Sequence, residues 1–275
     1  MNRAALVVLT MSLTIAGARA QDGITKYVRY SHQGKTAYGI LEGETIKVLD
    51  GDLFSSPRTS DKTLGLSDVR LLPPCDPSKV IAVGLNYKSH LGERPTPEYP
   101  GLFSKFPSSL VAHGDDIVTP PDSDNLHYEG ELVVVIGKKA KNVSVADAPS
   151  YIFGVTAGND VSERNWQRAD LQWFRAKASD TFGPVGPVIA QGLAYDDLMI
   201  QTRVNGEVVQ KESSKDLLYN IDEIVSYVSR YVTLLPGDII FTGTPGSTKA
   251  MKPGDIVEVE IEGIGTLRNT VVSAR

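Results

Sequence analysis

Short apolar segments punctuated by glycine, proline and asparagine recur along this chain, and that strand rhythm restricts the fold more than any other feature. "ELVVVIG", "YIFGVTAGN", "GPVIA", "IQTRVNGEVVQ", "DIIFTG" and "IVEVEIEGIGTLRNTVV" have the apolar content and turn-residue boundaries of strands. Asn205-Gly206, between Arg203-Val204 and Glu207-Val208-Val209, is a type I′ hairpin signal. "PGD" occurs at Pro236 and Pro253, each time ahead of an apolar strand, and Pro-Gly suits the central positions of a type II turn. Upstream, "KYVRYSH", "KTAYGILEG" and "ETIKVLDG" alternate apolar and polar residues, which predicts a small β-rich N-terminal domain over 24–70. The three prolines of "LLPPCDPSK" mark 71–79 as a linker, and the main domain runs over 80–275. Helical patterning is confined to "YKSHLGE", a segment from Val161 to about Asp170, and "NIDEIVSYVSRYV". In the last, Ile221, Ile224, Val225 and Val228 form a core-facing stripe. The expected class is α+β, rich in β.

The first twenty residues, "MNRAALVVLTMSLTIAGARA", follow a different logic. One basic residue, an apolar stretch and a small-x-small ending at Ala18-Arg19-Ala20 read as a signal peptide over 1–20, cleaved before Gln21. The alternative is an uncleaved anchor, but the apolar stretch falls short of the ~20 residues a span needs. The mature chain is therefore expected outside the cytoplasm, periplasmic or secreted, with no membrane contact. Lys and Arg number 28 against 33 Asp and Glu, a net charge of −5; no basic excess exists to meet nucleic acid or an anionic membrane. The single cysteine, Cys75, forms no internal disulfide, so the fold must stand on packing. No HExxH, GxSxG, CxxC, Walker or GxGxxG pattern occurs, which removes the common catalytic motifs.

Chemistry concentrates around "HYEGELVVVIGK", residues 127–138. In a strand, Glu129 and Glu131 point to one face with Cα atoms roughly 6 to 7 Å apart. At an effective dielectric near 20 their repulsion is on the order of 2 to 3 kcal/mol. Two readings stand on spacing alone: a solvated strand entrance, or half of a cation site with oxygen ligands, which suit Mg²⁺, Mn²⁺ or Ca²⁺. Asp160, in "GVTAGNDVSERNWQ", offers a third carboxylate where a strand gives way to a helix. With Glu163 it also fits a capping box, and two carboxylate oxygens allow both roles. His90 and Glu93, in "GLNYKSHLGE", share a face if the segment is helical, where the carboxylate can orient the imidazole; a surface ion pair is the alternative. Lys105 and Lys177 sit among apolar or small residues, with snorkelling as the alternative to a site role.

The order and wording of these segments resemble one family over nearly the whole mature chain. "YGILEG", "VGLNYKSHLGE", "HYEGELVVVIGKKAKNV", "GVTAGNDVSERNWQ", "KASDTFGPVGP", "VNGE", "GDIIFTGTPG" and "KPGDIVEVEIEGIGTLRN" are similar to blocks of the fumarylacetoacetate hydrolase family, in the branch with a small N-terminal β domain. The resemblance implies a mixed, curled β-sheet roll with few helices, usually a homodimer. It implies Glu129, Glu131 and Asp160 as ligands of Mg²⁺ or Mn²⁺, with Ca²⁺ as an alternative. It assigns His90 with Glu93 to water activation or proton transfer, Lys177 to the substrate's charged oxygens, and Lys105 and Thr244 to further substrate contacts. The implied reaction is hydrolysis of a carbon–carbon bond in acylpyruvate- or fumarylacetoacetate-like 2-oxo or 1,3-dicarbonyl acids. Decarboxylation or isomerisation of oxaloacetate-like acids is the alternative at the same site, and an exported binding protein without turnover is the alternative of another class. Two departures stand out: only "STKAM" separates "GTPG" from "KPGD", where the family often has a longer loop, and the signal peptide is unusual for intracellular enzymes.

Overall fold

The computed structural model describes residues 23–274, so the segment read as a signal peptide lies outside the described residues. Among them no helix is long and apolar enough to cross a membrane. The chain opens with β1 (Thr25–His32), β2 (Lys35–Glu42), β3 (Thr45–Asp50), β4 (Arg58–Gly65) and β5 (Arg70–Leu71). There follow β6 (Val80–Gly84), α1 (Lys88–Leu91), β7 (Gly101–Lys105), β8 (Leu110–Val111), β9 (Asp116–Thr119) and β10 (Leu126–His127). The centre of the chain holds β11 (Gly130–Ile136), β12 (Ile152–Asn159), β13 (Ser162–Glu163), α2 (Arg164–Ala169), α3 (Phe174–Ala178) and β14 (Gly183–Gln191). The rest is β15 (Met199–Val204), β16 (Glu207–Ser213), α4 (Ile221–Tyr231), β17 (Ile239–Phe241), β18 (Ile256–Ile261) and β19 (Gly265–Ser273).

One large sheet has the order β4-β3-β2-β1-β14-β12-β11-β17-β6-β7, with β5 added on β1 and β8 on β14; a second has the order β16-β15-β18-β19-β9. Most neighbours are antiparallel, but β17 beside β6, β14 beside β8 and β19 beside β9 are parallel. Both sheets are therefore mixed, and neither closes on itself, consistent with the strand-rich pattern of the sequence. The N-terminal strands do not form a separate layer: Thr25, Lys26 and Tyr27 pair with Gln191, Ala190 and Ile189 of β14.

β11 lies between β12 and β17, and all its residues are buried. Its side chains alternate between two cores, as the pleat requires: Leu132, Val134 and Ile136 join one cluster, and Val133 and Val135 the other. A continuous apolar run is what a strand covered on both faces needs. At the hairpin, Asn205 and Gly206 both take positive φ, 52° and 83°, the type I′ requirement. α4 buries its predicted stripe of Ile221, Ile224, Val225 and Val228 and starts with a reciprocal cap between Asn220 and Glu223.

α2 begins later than its predicted start at Val161. Ser162 and Glu163 pair instead with His127 and Leu126, so their backbone goes to a ladder before a helix can form. Glu163 then caps the helix, its Oε2 accepting from the Trp166 N–H at 2.6 Å. The capping box expected from Asp160 is not made, which leaves that carboxylate for other partners.

Candidate active site

The ends of three neighbouring strands meet at one place. Glu129 leads into β11, Glu131 is its second residue, and Asp160 follows β12, its N–H donating to Glu129 O at 2.8 Å. β17 contributes the turn beyond it, where the Gly243 N–H donates to Glu131 Oε2 at 2.7 Å. Gly243 takes φ +112°, and a Cβ there would fall 2.7 Å from Asn86 Cβ, so a side chain at this position displaces the turn. Gly130 is needed for a different reason: its Cβ would lie 2.0 Å from Thr202 Oγ1 of the second sheet. Close packing thus separates the two glutamates with a glycine.

Glu129, Glu131 and Asp160 are 3%, 1% and 1% exposed, and one oxygen from each lies within 4.8 Å of the others. The solvated reading of the glutamate pair is excluded by that burial. Lys177 does not snorkel; at 2% exposure its Nζ is 2.5 Å from both Glu129 Oε2 and Asp160 Oδ2. Lys105, also buried, donates to Asp160 Oδ1 at 2.7 Å and to the Lys177 carbonyl. Arg164 on α2 completes the set by donating to Glu129 Oε1.

Burial works to raise the Glu129 carboxyl, but Lys177, Arg164 and His90 outweigh it and hold it below the usual carboxylate range. Glu131 goes the other way. Burial, then Asp160 and Glu129, push it well above its ordinary value, and Lys177 and the Gly243 N–H offset them only in part. Burial lowers Lys105, whereas Asp160 and Glu129 overcome burial and raise Lys177. Among the described residues the Gly243 N–H is the one hydrogen-bond donor to the Glu131 carboxylate. Three cations therefore serve two carboxylates and leave the third short of positive charge. Three hard oxygen donors, one of them underserved, fit a divalent cation.

Above this floor opens a cleft of about 450 Å³ lined by the triad together with His90, Arg94, His127, Arg164, Gln167, Arg168, Trp173, Lys177 and Thr244. His90 stands on α1, and its Nδ1 is 2.6 Å from the Gly246 carbonyl. A carbonyl only accepts, so Nδ1 carries a proton, and in the neutral imidazole Nε2 is then the accepting nitrogen. Nε2 faces the triad, 3.7 Å from Glu129 Oε1.

Three predicted site residues are placed otherwise than expected. α1 ends at Leu91, before Gly92 at φ 66°, so no helical face joins His90 to Glu93; Glu93 is exposed and outside the cleft lining, and Gly246 orients the imidazole in its stead. Lys105 is sealed beneath Asp160 and is not on the cleft wall. Thr244 lines the cleft, but its hydroxyl donates to Gly130 O at 3.0 Å and accepts from Gln210 Nε2 at 2.8 Å, a bracing role between loop and strand. Arg164, Gln167, His127 and Thr248 were not singled out from sequence. Arg164 had a signal: a buried glutamate pair needs a cation, and "SERNWQ" supplies one just after Asp160.

Residues 79–272 match the family model described as "Fumarylacetoacetate (FAA) hydrolase C-terminal", and residues 25–74 match "Rv2993c-like, N-terminal". Oxaloacetate tautomerase Fahd2a, mitochondrial, of Rattus norvegicus is 39% identical over 259 residues, 89% of this chain and 79% of that protein. The crystal structure of a 5-carboxymethyl-2-hydroxymuconate delta-isomerase from Mycobacterium smegmatis is 41% identical at a TM-score of 0.86, covering 90% of this chain and 100% of that one. A maleylpyruvate hydrolase from Sphingobium sp. SYK-6, solved with manganese(II) ion and pyruvate, is 26% identical at a TM-score of 0.75, covering 91% and 100%. With a buried acidic triad at the ends of its central strands and a family match spanning most of its length, the chain belongs to the fumarylacetoacetate hydrolase family.

Proposed function

We propose that the protein is a divalent-metal-dependent tautomerase of 2-oxo acids, with Mg²⁺ or Mn²⁺ held by Glu129, Glu131 and Asp160. The observation that carries this reading is His90, whose Nδ1–H is tied to Gly246 O, which turns Nε2, the accepting nitrogen of the neutral ring, toward the triad. Tautomerisation needs one base that moves one proton between carbon and oxygen. When bound, the cation supplies the positive charge that lowers the cost of building negative charge on a 2-oxo oxygen. His90 Nε2 takes the proton from the carbon beside the carbonyl and returns it to the oxygen. Between those steps the imidazolium keeps its Gly246 contact and gains the charge of Glu129 beside it. Lys177 gives two of its three N–H donors to Glu129 and Asp160, which leaves one for a substrate oxygen in the cleft.

Hydrolysis, the reaction first expected from the family resemblance, is the second reading. It asks more of this site, because a water must be activated and a carbon leaving group protonated. The partner expected to help His90 do so, Glu93, is outside the cleft lining. Similarity to the rat oxaloacetate tautomerase and the mycobacterial isomerase supports isomerisation, and similarity to the maleylpyruvate hydrolase supports hydrolysis at lower identity. Decarboxylation shares the charge-stabilising floor. A binder without turnover has no use for a base-ready imidazole aimed at the triad.

The test follows the decay of enol oxaloacetate by ultraviolet absorbance with Mg²⁺ or Mn²⁺ and after exhaustive EDTA. Accelerated equilibration that chelation abolishes supports the proposal. Equilibration at the uncatalysed rate under all conditions, with cleavage of an acylpyruvate instead, would replace it with the hydrolase reading.

A further inference from the structure

A hydrogen-bond chain runs along the cleft rim to Glu129, and chemistry fixes its direction at every step. Asp124 is the anchor. Its carboxylate accepts from Asn165 Nδ2 at 2.6 Å, so Asn165 turns Oδ1 toward Asn125, which donates through Nδ2 at 3.1 Å. Asn125 in turn presents Oδ1 to His127 Nε2 at 2.8 Å. An amide oxygen only accepts, so His127 carries a proton on Nε2, and in the neutral ring Nδ1 is then the acceptor. Thr248 Oγ1 lies 2.8 Å from Nδ1 and must donate its one proton there. The hydroxyl lone pairs then receive Arg164 Nη2 at 2.9 Å, and that same nitrogen donates to Glu129 Oε1. Arg164 Nη1 is held separately by Gln167 Oε1 at 2.7 Å.

Thr248 belongs to the short "STKAM" segment. That segment is fastened against β10 by a bridge from Ala250 to His127 and by the Met251 N–H donating to Leu126 O at 2.7 Å. The short loop therefore delivers this hydroxyl to the imidazole.

We propose that His127, held as its Nε2–H tautomer, and Thr248 are positioning residues that lock the Arg164 guanidinium against Glu129 and so fix that carboxylate's orientation in the triad. Without the Thr248 oxygen, Arg164 Nη2 keeps one acceptor instead of two and the guanidinium can turn away. The consequence for ion binding rests on the triad being a divalent-ion site; the hydrogen-bond chain itself does not.

The test combines two readouts on the folded protein. Long-range ¹H–¹⁵N correlation spectroscopy of ¹⁵N-histidine-labelled protein reports the His127 tautomer, its resonances identified by their loss in His127→Gln. Mn²⁺ calorimetry reports the affinity of the triad. The wild type is expected to show protonated Nε2 and an accepting Nδ1. Thr248→Val should remove the Nδ1 hydrogen-bond shift and weaken Mn²⁺ about tenfold, while Thr248→Ser, which keeps the hydroxyl, should retain both. A proton on Nδ1 in the wild type, or Thr248→Val binding Mn²⁺ as the wild type does, overturns the proposal. Thr248→Ser failing as badly as Thr248→Val also overturns it, since the methyl group would then be what matters. A wild type with the expected tautomer but no Mn²⁺ binding upholds the relay and refutes the divalent-ion reading.

Discussion

Glu129, Glu131 and Asp160 stand at the ends of strands paired on both sides, whereas His90 stands on a four-residue helix held to the loop after β17 by one ring nitrogen. The floor of the cleft is built by backbone ladders, two buried lysines and the half-buried Arg164. The rim is built by side chains reaching across loops distant in sequence. The difference separates two tasks. A floor fixed by strand register keeps ligands in place for an ion, and a rim fixed by individual hydrogen bonds decides what is done to the molecule above it.

If the two tasks are separable, variants of each region should fail differently. The largest expected effect is at the rim: His90→Gln should slow tautomerisation on the order of 10² to 10⁴-fold with Mn²⁺ affinity within about twofold of wild type in calorimetry. Equal loss of ion binding would join His90 to the floor. Next, Glu131→Ala should weaken Mn²⁺ by about 100-fold or more while circular dichroism shows the fold kept. Third, Gly243→Ala places a methyl group 2.7 Å from Asn86 Cβ at φ +112° and should cost about 1 to 3 kcal/mol in urea denaturation, damaging the floor through its supporting turn.

A pH profile sharpens the comparison further. Glu131 is raised above its ordinary 4.5 in the metal-free fold, so its contribution to stability is complete below about pH 4.5 and is lost as pH rises toward the raised value. Glu129 is lowered; its contribution is present above about pH 4.5 and lost as pH falls. Metal-free protein should therefore lose stability above pH 4.5 by up to about 1.4 kcal/mol per pH unit, and Mn²⁺ should flatten that slope. A denaturation midpoint series with EDTA and with Mn²⁺ measures both; a slope unchanged by Mn²⁺ would count against ion binding at Glu131. The smallest effect is expected from Glu93→Gln, less than about threefold in turnover, because the side chain is outside the cleft lining. A loss matching that of His90→Gln would restore the pairing expected from sequence.

The floor was legible in the sequence only in part: local rules brought its carboxylates to notice, while spacing alone left a solvated entrance open and the ligand set came from the family resemblance. Period-two alternation puts Glu129 and Glu131 on one side, and Asp160 sits where a strand signal stops. Lys105 and Lys177 drew notice as charges among small and apolar residues, although spacing could not say that both would be buried against Asp160. The rim was not legible. The oxygen that orients His90 belongs to Gly246, 156 residues away, and no periodicity points to it. The i, i+3 argument for Glu93 failed because α1 is one turn long and stops at a glycine with positive φ. The capping box at Asp160 failed because Ser162 and Glu163 pair with β10, a tertiary contact that outweighs local propensity.

Central to all of this is a cation floor with a single-base rim that moves a proton and leaves the carbon skeleton whole. Incubation of oxaloacetate with the Mn²⁺-loaded protein in D₂O, followed by ¹H NMR against matched acylpyruvates, tests it most directly. Fast replacement of the protons beside the 2-oxo group by deuterium, with every carbon–carbon bond retained and the exchange lost in His90→Gln, is the result predicted here. Two shorter acids appearing from either substrate at least as fast as that exchange would contradict it.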